Sequence, residues 1–352
     1  MRPTVIFNLV AFLAILMLAQ PVISDVTQMP PELAGEIGDA TGMIAFIRDK
    51  NVWIMDANGG HQMKIAEVSN ADGRLSWAPD GRRIAFTRSG TVNYHAPDMM
   101  GGMRKIYDVF IAYLDSAEAG RTSFWRRLTE DFGSRDPEWT ADGSTIVYFK
   151  DMNANKTNAE FPNYQICTMD TVGENGKVLR DDWRTSGEYF MSPTMNKDGQ
   201  VCFVHFVSLK SGQGGSYKAR GLAKLPRDGF MIPRDSLWNM SGETPNAVAP
   251  AWSPDGKWIA YVSNDMNSPG LFVTDANFKD KFQVYAPQGM VSLYTMAPSW
   301  SPNSKWLCFA TNDGSIWRVD ITGNGLKKLS GPGLDLAPAW SKGPVKLWSS
   351  GN

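Results

Sequence analysis

Cysteine, histidine and net charge are all scarce in this chain. Its 352 residues hold three cysteines and three histidines and carry a formal net charge of −1. An odd cysteine count excludes a complete disulfide framework of the kind small exported domains rely on. Cys167, Cys202 and Cys308 all fall in predicted strands and read as small buried hydrophobes. His61, His95 and His205 show no ligand spacing, and Cys-x-x-Cys is absent, which excludes an ordinary zinc site. No Gly-x-Ser-x-Gly elbow occurs, so the nucleophile arrangement of α/β-hydrolases is missing. Near-neutral charge argues against general nucleic-acid binding. The Asp-rich stretches TNDGSIWRVD and DANFKD lack the spaced carboxylates and terminal Glu of a calcium loop and read as turns. Neither a cofactor nor a metal is expected.

Long apolar runs are also missing, with one exception at the start. Arg2 precedes an apolar stretch from Val5 to Leu18, interrupted only by Asn8, and small or aliphatic residues lead to Ser24. This is the pattern of a secretory signal peptide over residues 1–24, short for a membrane span and without a lipoprotein cysteine. The expectation is an exported chain, periplasmic or extracellular, with a short lead over 25–41. No stable membrane insertion is expected after cleavage.

What the chain does have is a repeat. It reads WAPDG from Trp77, WTADG from Trp139, WSPDG from Trp252, WSPNS from Trp300 and a decayed WSKGP from Trp340. A further copy, MNKDG, puts Met195 in the anchor position. Anchors returning at roughly 40–60 residues mean an array of units that bury their faces against one another. Most copies carry a proline two residues before the anchor: Pro137, Pro193, Pro250, Pro298 and Pro338. Asp-Gly then supplies a tight turn, since Gly tolerates the positive φ such turns need. An apolar run follows (IAF at Ile84, IVY at Ile146, IAY at Ile259), then a variable loop and a second run ending in Asp. With a last short run, each unit holds about four strands, which is a propeller blade.

Counting units predicts an all-β fold, a six-bladed β-propeller over residues 42–350. Gly42 to Glu67 hold three strands with no preceding anchor, while Trp340 is an anchor with no blade after it. The C-terminal strand is therefore expected to complete the first blade and close the ring.

The segment PAWSPDGKWIAYVS from Pro250, followed by LFVTDAN, resembles the TolB-type (WD40-like) β-propeller repeat, and the resemblance covers the chain from about Gly42 to Trp348. It implies a periplasmic six-bladed propeller of the sort that docks a lipoprotein partner. TolB carries an additional N-terminal α/β domain, for which the roughly fifteen residues between leader and first strand leave no room. Related repeats occur in oligogalacturonate lyases and in prolyl-oligopeptidase-type propellers. The lyases' His-rich metal cluster has no counterpart here.

Two features suggest where ligands bind. The loops after the second strand are long in three adjacent units, Ser89–Arg104, Asp151–Asn163 and Ser208–Arg220, and are expected to be structureless and to form a rim on one face. Two residues beyond the aromatic of that strand stand Arg48, Arg88, Lys150 and His205, then Ser263 and Thr311. Four consecutive blades thus place a cationic or titratable side chain at the same face, an arc suited to an acidic partner. The same residues could instead pair with rim acids such as Asp98, Asp136 or Asp151. The expected function is a non-enzymatic protein- or peptide-binding propeller. The alternative is binding or cleavage of an anionic polysaccharide.

Overall fold

The computed structural model describes residues 27–94, 102–114, 125–156, 163–179, 188–209, 216–225, 247–263, 269–287, 298–331, 333–343 and 345. The predicted leader and His95, Asp98, Met99, Met100 and Phe161 lie outside them. Among the described residues no helix is long and apolar enough to cross a membrane.

Six antiparallel sheets form the molecule. The first blade contains β1 (Met43–Arg48), β2 (Asn51–Asp56) and β3 (Met63–Ala66). The second is β4 (Ala71–Trp77), β5 (Arg83–Tyr94), β6 (Gly102–Tyr113) and β7 (Trp125–Arg127). The third is β8 (Ser134–Trp139), β9 (Thr145–Asp151), β10 (Tyr164–Asp170) and β11 (Lys177–Val178). Three described strands make the fourth: β12 (Glu188–Met195), β13 (Val201–Leu209) and β14 (Ser216–Leu225). The fifth is β15 (Ala247–Trp252), β16 (Trp258–Ser263), β17 (Gly270–Asp275) and β18 (Lys281–Tyr285). The sixth is β19 (Ser299–Trp300), β20 (Trp306–Ala310), β21 (Ile316–Asp320) and β22 (Lys327–Lys328). The last strand, β23 (Leu336–Trp340), pairs antiparallel with β1 through Ile44–Trp340 and Ala45–Ala339. The ring is a six-bladed propeller closed by its C-terminal strand.

The second strand of each blade explains why blades stack. Ile84, Ala85 and Phe86 are each fully buried, as are Ile146, Val147 and Phe149. Successive residues of a strand face opposite sides, so burial of consecutive residues means a sheet covered on both faces. One core cluster joins Ile47 and Val52 of the first blade to Trp77 and Phe86 of the second.

The proline two residues before an anchor marks a bulge in four blades. Pairing slips between Arg135 and Glu138, Met191 and Thr194, and Val248 and Ala251. The residue before the proline has a positive φ at the four described places: Asp136 49°, Ser192 50°, Ala249 51° and Ala337 51°. A bulge leaves a backbone position out of the ladder, so a residue with no N–H loses nothing there. In β4 the bulge is made by Gly73 at φ 66°, where an added Cβ would lie 2.3 Å from the Asp136 carboxylate.

The anchors link blades in two alternating ways. The backbone N–H groups of Trp139, Trp252 and Trp340 donate to the hydroxyls of Ser76, Thr194 and Ser299, at 3.0, 3.1 and 2.8 Å. Each hydroxyl belongs to the residue just before the preceding blade's anchor. Where that residue is alanine, the next indole donates instead: Trp77 to the Ala339 carbonyl and Trp300 to that of Ala251, both at 2.9 Å. At the third such place stand Glu138 and Met195, and neither interaction is possible in that form.

Aspartates close the turns. Asp56, Asp170, Asp275 and Asp320, each ending a third strand, accept backbone N–H groups two and four residues on, at 2.6–3.0 Å. Asp80, Asp142 and Asp255 accept the N–H two residues on, past a glycine at positive φ. Thr140 and Ser144 hydrogen bonds hold the Asp142 carboxyl below its usual range. All three cysteines are buried and free of disulfides, and burial pushes the Cys167 thiol up to about 12.

The lead packs on the ring. Met29 and Ala34 are buried in the core cluster of the fifth and sixth blades. The Trp306 indole donates to the Gly38 carbonyl at 3.1 Å, and Asn303 donates to that of Ile37 at 3.2 Å.

Candidate binding site on the hairpin-arm face

Two of the three long loops are strand rather than irregular chain. In the second blade β5 and β6 stay in register from Arg83–Tyr113 out to Tyr94–Gly102. In the fourth, β13 and β14 run on to Leu209–Ser216. Both connections join a second strand to a third, so both arms stand on the same face of the ring. Between them the third-blade loop is pinned at its base by Asp151, which accepts the N–H groups of Asn153 and Asn163 at 2.9 and 2.8 Å. Gly90 and the glycines at 101–102 read as breakers, whereas the alternating Thr91, Val92 and Ile106, Tyr107 carry the pairing.

The arc residues occupy equivalent positions with different surroundings. Arg48 ends β1, and its guanidinium donates twice to Asp335, both at 2.7 Å, with Asp335 itself 1% exposed. Those hydrogen bonds hold Arg48 above its ordinary range. Arg88 donates to the Val68 carbonyl at 2.9 Å and lies 5.3 Å from the Trp125 ring. The Lys150 ammonium is 2.9 Å from Asp131. His205 is fully buried, its ring stacked on Phe190 at 5.5 Å. Ser263 is buried, and the Thr311 hydroxyl donates to Asp313. Among the described residues, the acids paired with the arc are Asp335 and Asp131. Asp136 instead accepts the Arg74 N–H at 2.9 Å.

A further cation on this face was not singled out from the sequence. Arg135, the second residue of β8, lies with its guanidinium 4.0 Å from the centre of the Tyr107 ring and 5.5 Å from that of Phe149. Its Nε is buried without a hydrogen-bond partner. Burial works against its charge, yet the negative charges of Asp136 and Asp72 oppose that and the guanidinium is held above its ordinary range. Tyr107 is placed by the arm: its N–H donates to the Phe132 carbonyl at 3.0 Å, tying the arm to the start of the third blade. The signal lay in the repeat, because the equivalent residues in three other innermost strands are Met191, Val248 and Leu336.

Deeper in, a polar crossbar spans the channel. The Arg74 guanidinium donates to Glu138 at 2.9 Å and to the carbonyls of Pro193 and Pro250 at 3.1 and 2.6 Å. It therefore joins the second, third, fourth and fifth blades. The other Glu138 oxygen accepts the Thr194 hydroxyl at 2.9 Å and lies 4.0 Å from the Lys342 ammonium. Lys342 also donates to the Trp139 carbonyl, and burial lowers its affinity for the proton. On the Asp-Gly side of this crossbar a cavity of about 240 Å³ is walled by anchors and prolines such as Trp252, Pro254 and Pro338. With every one of these groups engaged, the crossbar is built to hold blades together.

Among the described residues no three His, Cys, Asp or Glu side chains gather as a metal site. The geometry is that of a six-bladed propeller with a barred channel and two strand-built arms on one face. The fold is that of TolB propellers. The chain is similar to the TolB structure from Acinetobacter baumannii, at 19% identity over 88% of this chain and 69% of that one, with a TM-score of 0.58. A putative TolB from Agrobacterium tumefaciens matches at 14% identity over 87% and 94% of the two chains, TM-score 0.53. Hydrazine synthase from Kuenenia stuttgartiensis matches at 14% identity over 89% of this chain and 48% of that one, TM-score 0.56. In sequence, an "uncharacterized peptidase YuxL" of Bacillus subtilis is 26% identical over 214 residues, which span 53% of this chain and 29% of that protein. No family model matches.

Proposed function

We propose that the protein is an exported, non-enzymatic propeller that binds a protein or peptide partner on its arm-side rim and channel mouth, in an envelope role of the TolB kind. The observation that carries this reading is the pair of arms. Long hairpins lose conformational entropy on ordering, and here both described arms extend on the same face. Arg88 and Lys150 contribute to that rim, with Arg48 and His205 at the matching places of neighbouring blades. Pairing of Arg48 with Asp335 and of Lys150 with Asp131 neutralises two of the four arc positions, and His205 is buried, which breaks the arc as a continuous track for a polyanion and favours a peptide over an anionic polysaccharide.

The test is to shorten one arm. Ser89 pairs with Tyr107, so replacing residues 90–106 by Asn-Gly leaves a two-residue hairpin on an intact blade. The shortened protein is expected to melt within about 3 °C of the parent, yet to capture its partner from the exported fraction at least about tenfold less well, a loss of about 1.4 kcal/mol or more. Undiminished capture by the folded variant would contradict the reading.

A further inference from the structure

Among the described residues of the arm face, the Arg135 guanidinium has hydrogen-bonding capacity that its surroundings leave unused. No described carboxylate reaches ion-pair distance of it, whereas Arg48, Arg74 and Arg127 each hold one at 2.7–2.9 Å. Its ring contacts, 4.0 Å to Tyr107 and 5.5 Å to Phe149, use none of its N–H groups. A guanidinium stacked on an aromatic ring keeps the N–H groups of its fork in one plane, free for a carboxylate. The buried Nε–H finds no acceptor in the protein, and since the residue as a whole is only partly buried, a ligand oxygen would meet the terminal nitrogens of the guanidinium.

We propose that Arg135 anchors a carboxylate-binding site at the junction of the second and third blades, taking a single carboxylate presented by a peptide. The ligand class follows from what flanks the fork. Asp72 and Asp136 lie close enough to act on its charge, and each already accepts a backbone N–H, that of Gly73 at 2.8 Å and that of Arg74 at 2.9 Å. They repel a run of negative charges but tolerate one carboxylate held against Arg135. Lys105, 4.0 Å from Asp72, offsets part of that field. Tyr107 beneath the guanidinium, only partly buried, gives the neighbouring apolar atoms of a peptide a surface, while Phe149 is fully buried behind it. An oligouronate, with a charge on every unit, fits this arrangement worse than a lone Glu, Asp or chain terminus does. This inference rests on the partner-binding reading and narrows it to one contact.

The test uses the full chain and three probes: dansyl-Ala-Ala-Glu-Ala-Ala-amide, the same peptide with glutamine, and trigalacturonate, followed by fluorescence anisotropy at fixed ionic strength. The glutamate peptide is expected to bind at least about tenfold tighter than the glutamine peptide. Arg135→Gln should abolish that difference, and Arg135→Lys should restore only part of it, since an ammonium cannot form the fork. Melting temperatures of both variants should stay within about 3 °C of the parent, because no ion pair is lost. Equal affinity for both peptides, no binding of either, a preference surviving in Arg135→Gln, or trigalacturonate binding tighter than the glutamate peptide would each overturn the proposal. Loss of partner capture on arm shortening, with capture unchanged in Arg135→Gln, would overturn this contact and leave the partner-binding reading standing.

Discussion

Deleting residues 337–352 is expected to turn a cooperatively melting protein into one that aggregates or melts without a sharp transition. The cut removes β23, whose Ala339 and Trp340 are 3% and 2% exposed, and strips the first blade of its innermost strand. It also takes the acceptor from the Trp77 indole and leaves β1 as an open edge in the middle of the ring. Loss of one large aromatic from a core costs about 3–5 kcal/mol. Losing it with a strand's ladder exceeds what most domains hold in reserve, about 5–15 kcal/mol. Trp340→Ala alone should lower stability by about 3–5 kcal/mol while leaving a folded ring. Denaturant unfolding followed by circular dichroism reads both. A truncated chain with the parent's midpoint and slope would contradict closure by β23.

Glu138→Ala is expected to cost about 3–5 kcal/mol, because it leaves the Arg74 guanidinium, 9% exposed, without its carboxylate. Arg74 would keep two carbonyl acceptors, but these do not neutralise its charge. Replacing both residues, as Arg74→Met with Glu138→Leu, should recover more than half of the loss, since the two paired charges go together and Lys342, 26% exposed, keeps the Trp139 carbonyl. Stabilities that simply add across the two sites would show that the crossbar is not a coupled unit.

Much of the fold was legible because the blades repeat. The anchors, the Asp-Gly turns and the orphan Trp340 located the blades, their number and the closing strand, each from a local physical requirement. The two hairpin arms were not legible, since Gly90 and the glycines at 101–102 break the apolar pattern that marks strand. Their pairing rests on Thr91, Val92 and the MRKIY run from Met103, read only once the register with β5 is known. The partners of the arc were also hidden: Arg48 meets Asp335 across 287 residues of sequence, and no spacing rule reaches that far. Arg135 and Glu138 carried a usable signal. Each is a charged residue in a repeat position that neighbouring blades fill with apolar or small side chains.

The claim that one face does the binding is tested most directly by photo-crosslinking in the cells that make the protein. A benzophenone side chain placed at Thr91, exposed on the second-blade arm, samples one face; the same group at Ser144, exposed beside an Asp-Gly turn, samples the other. The account predicts a covalent adduct with a peptide or protein from Thr91 and none from Ser144. Adducts from Ser144 with none from Thr91 would contradict it.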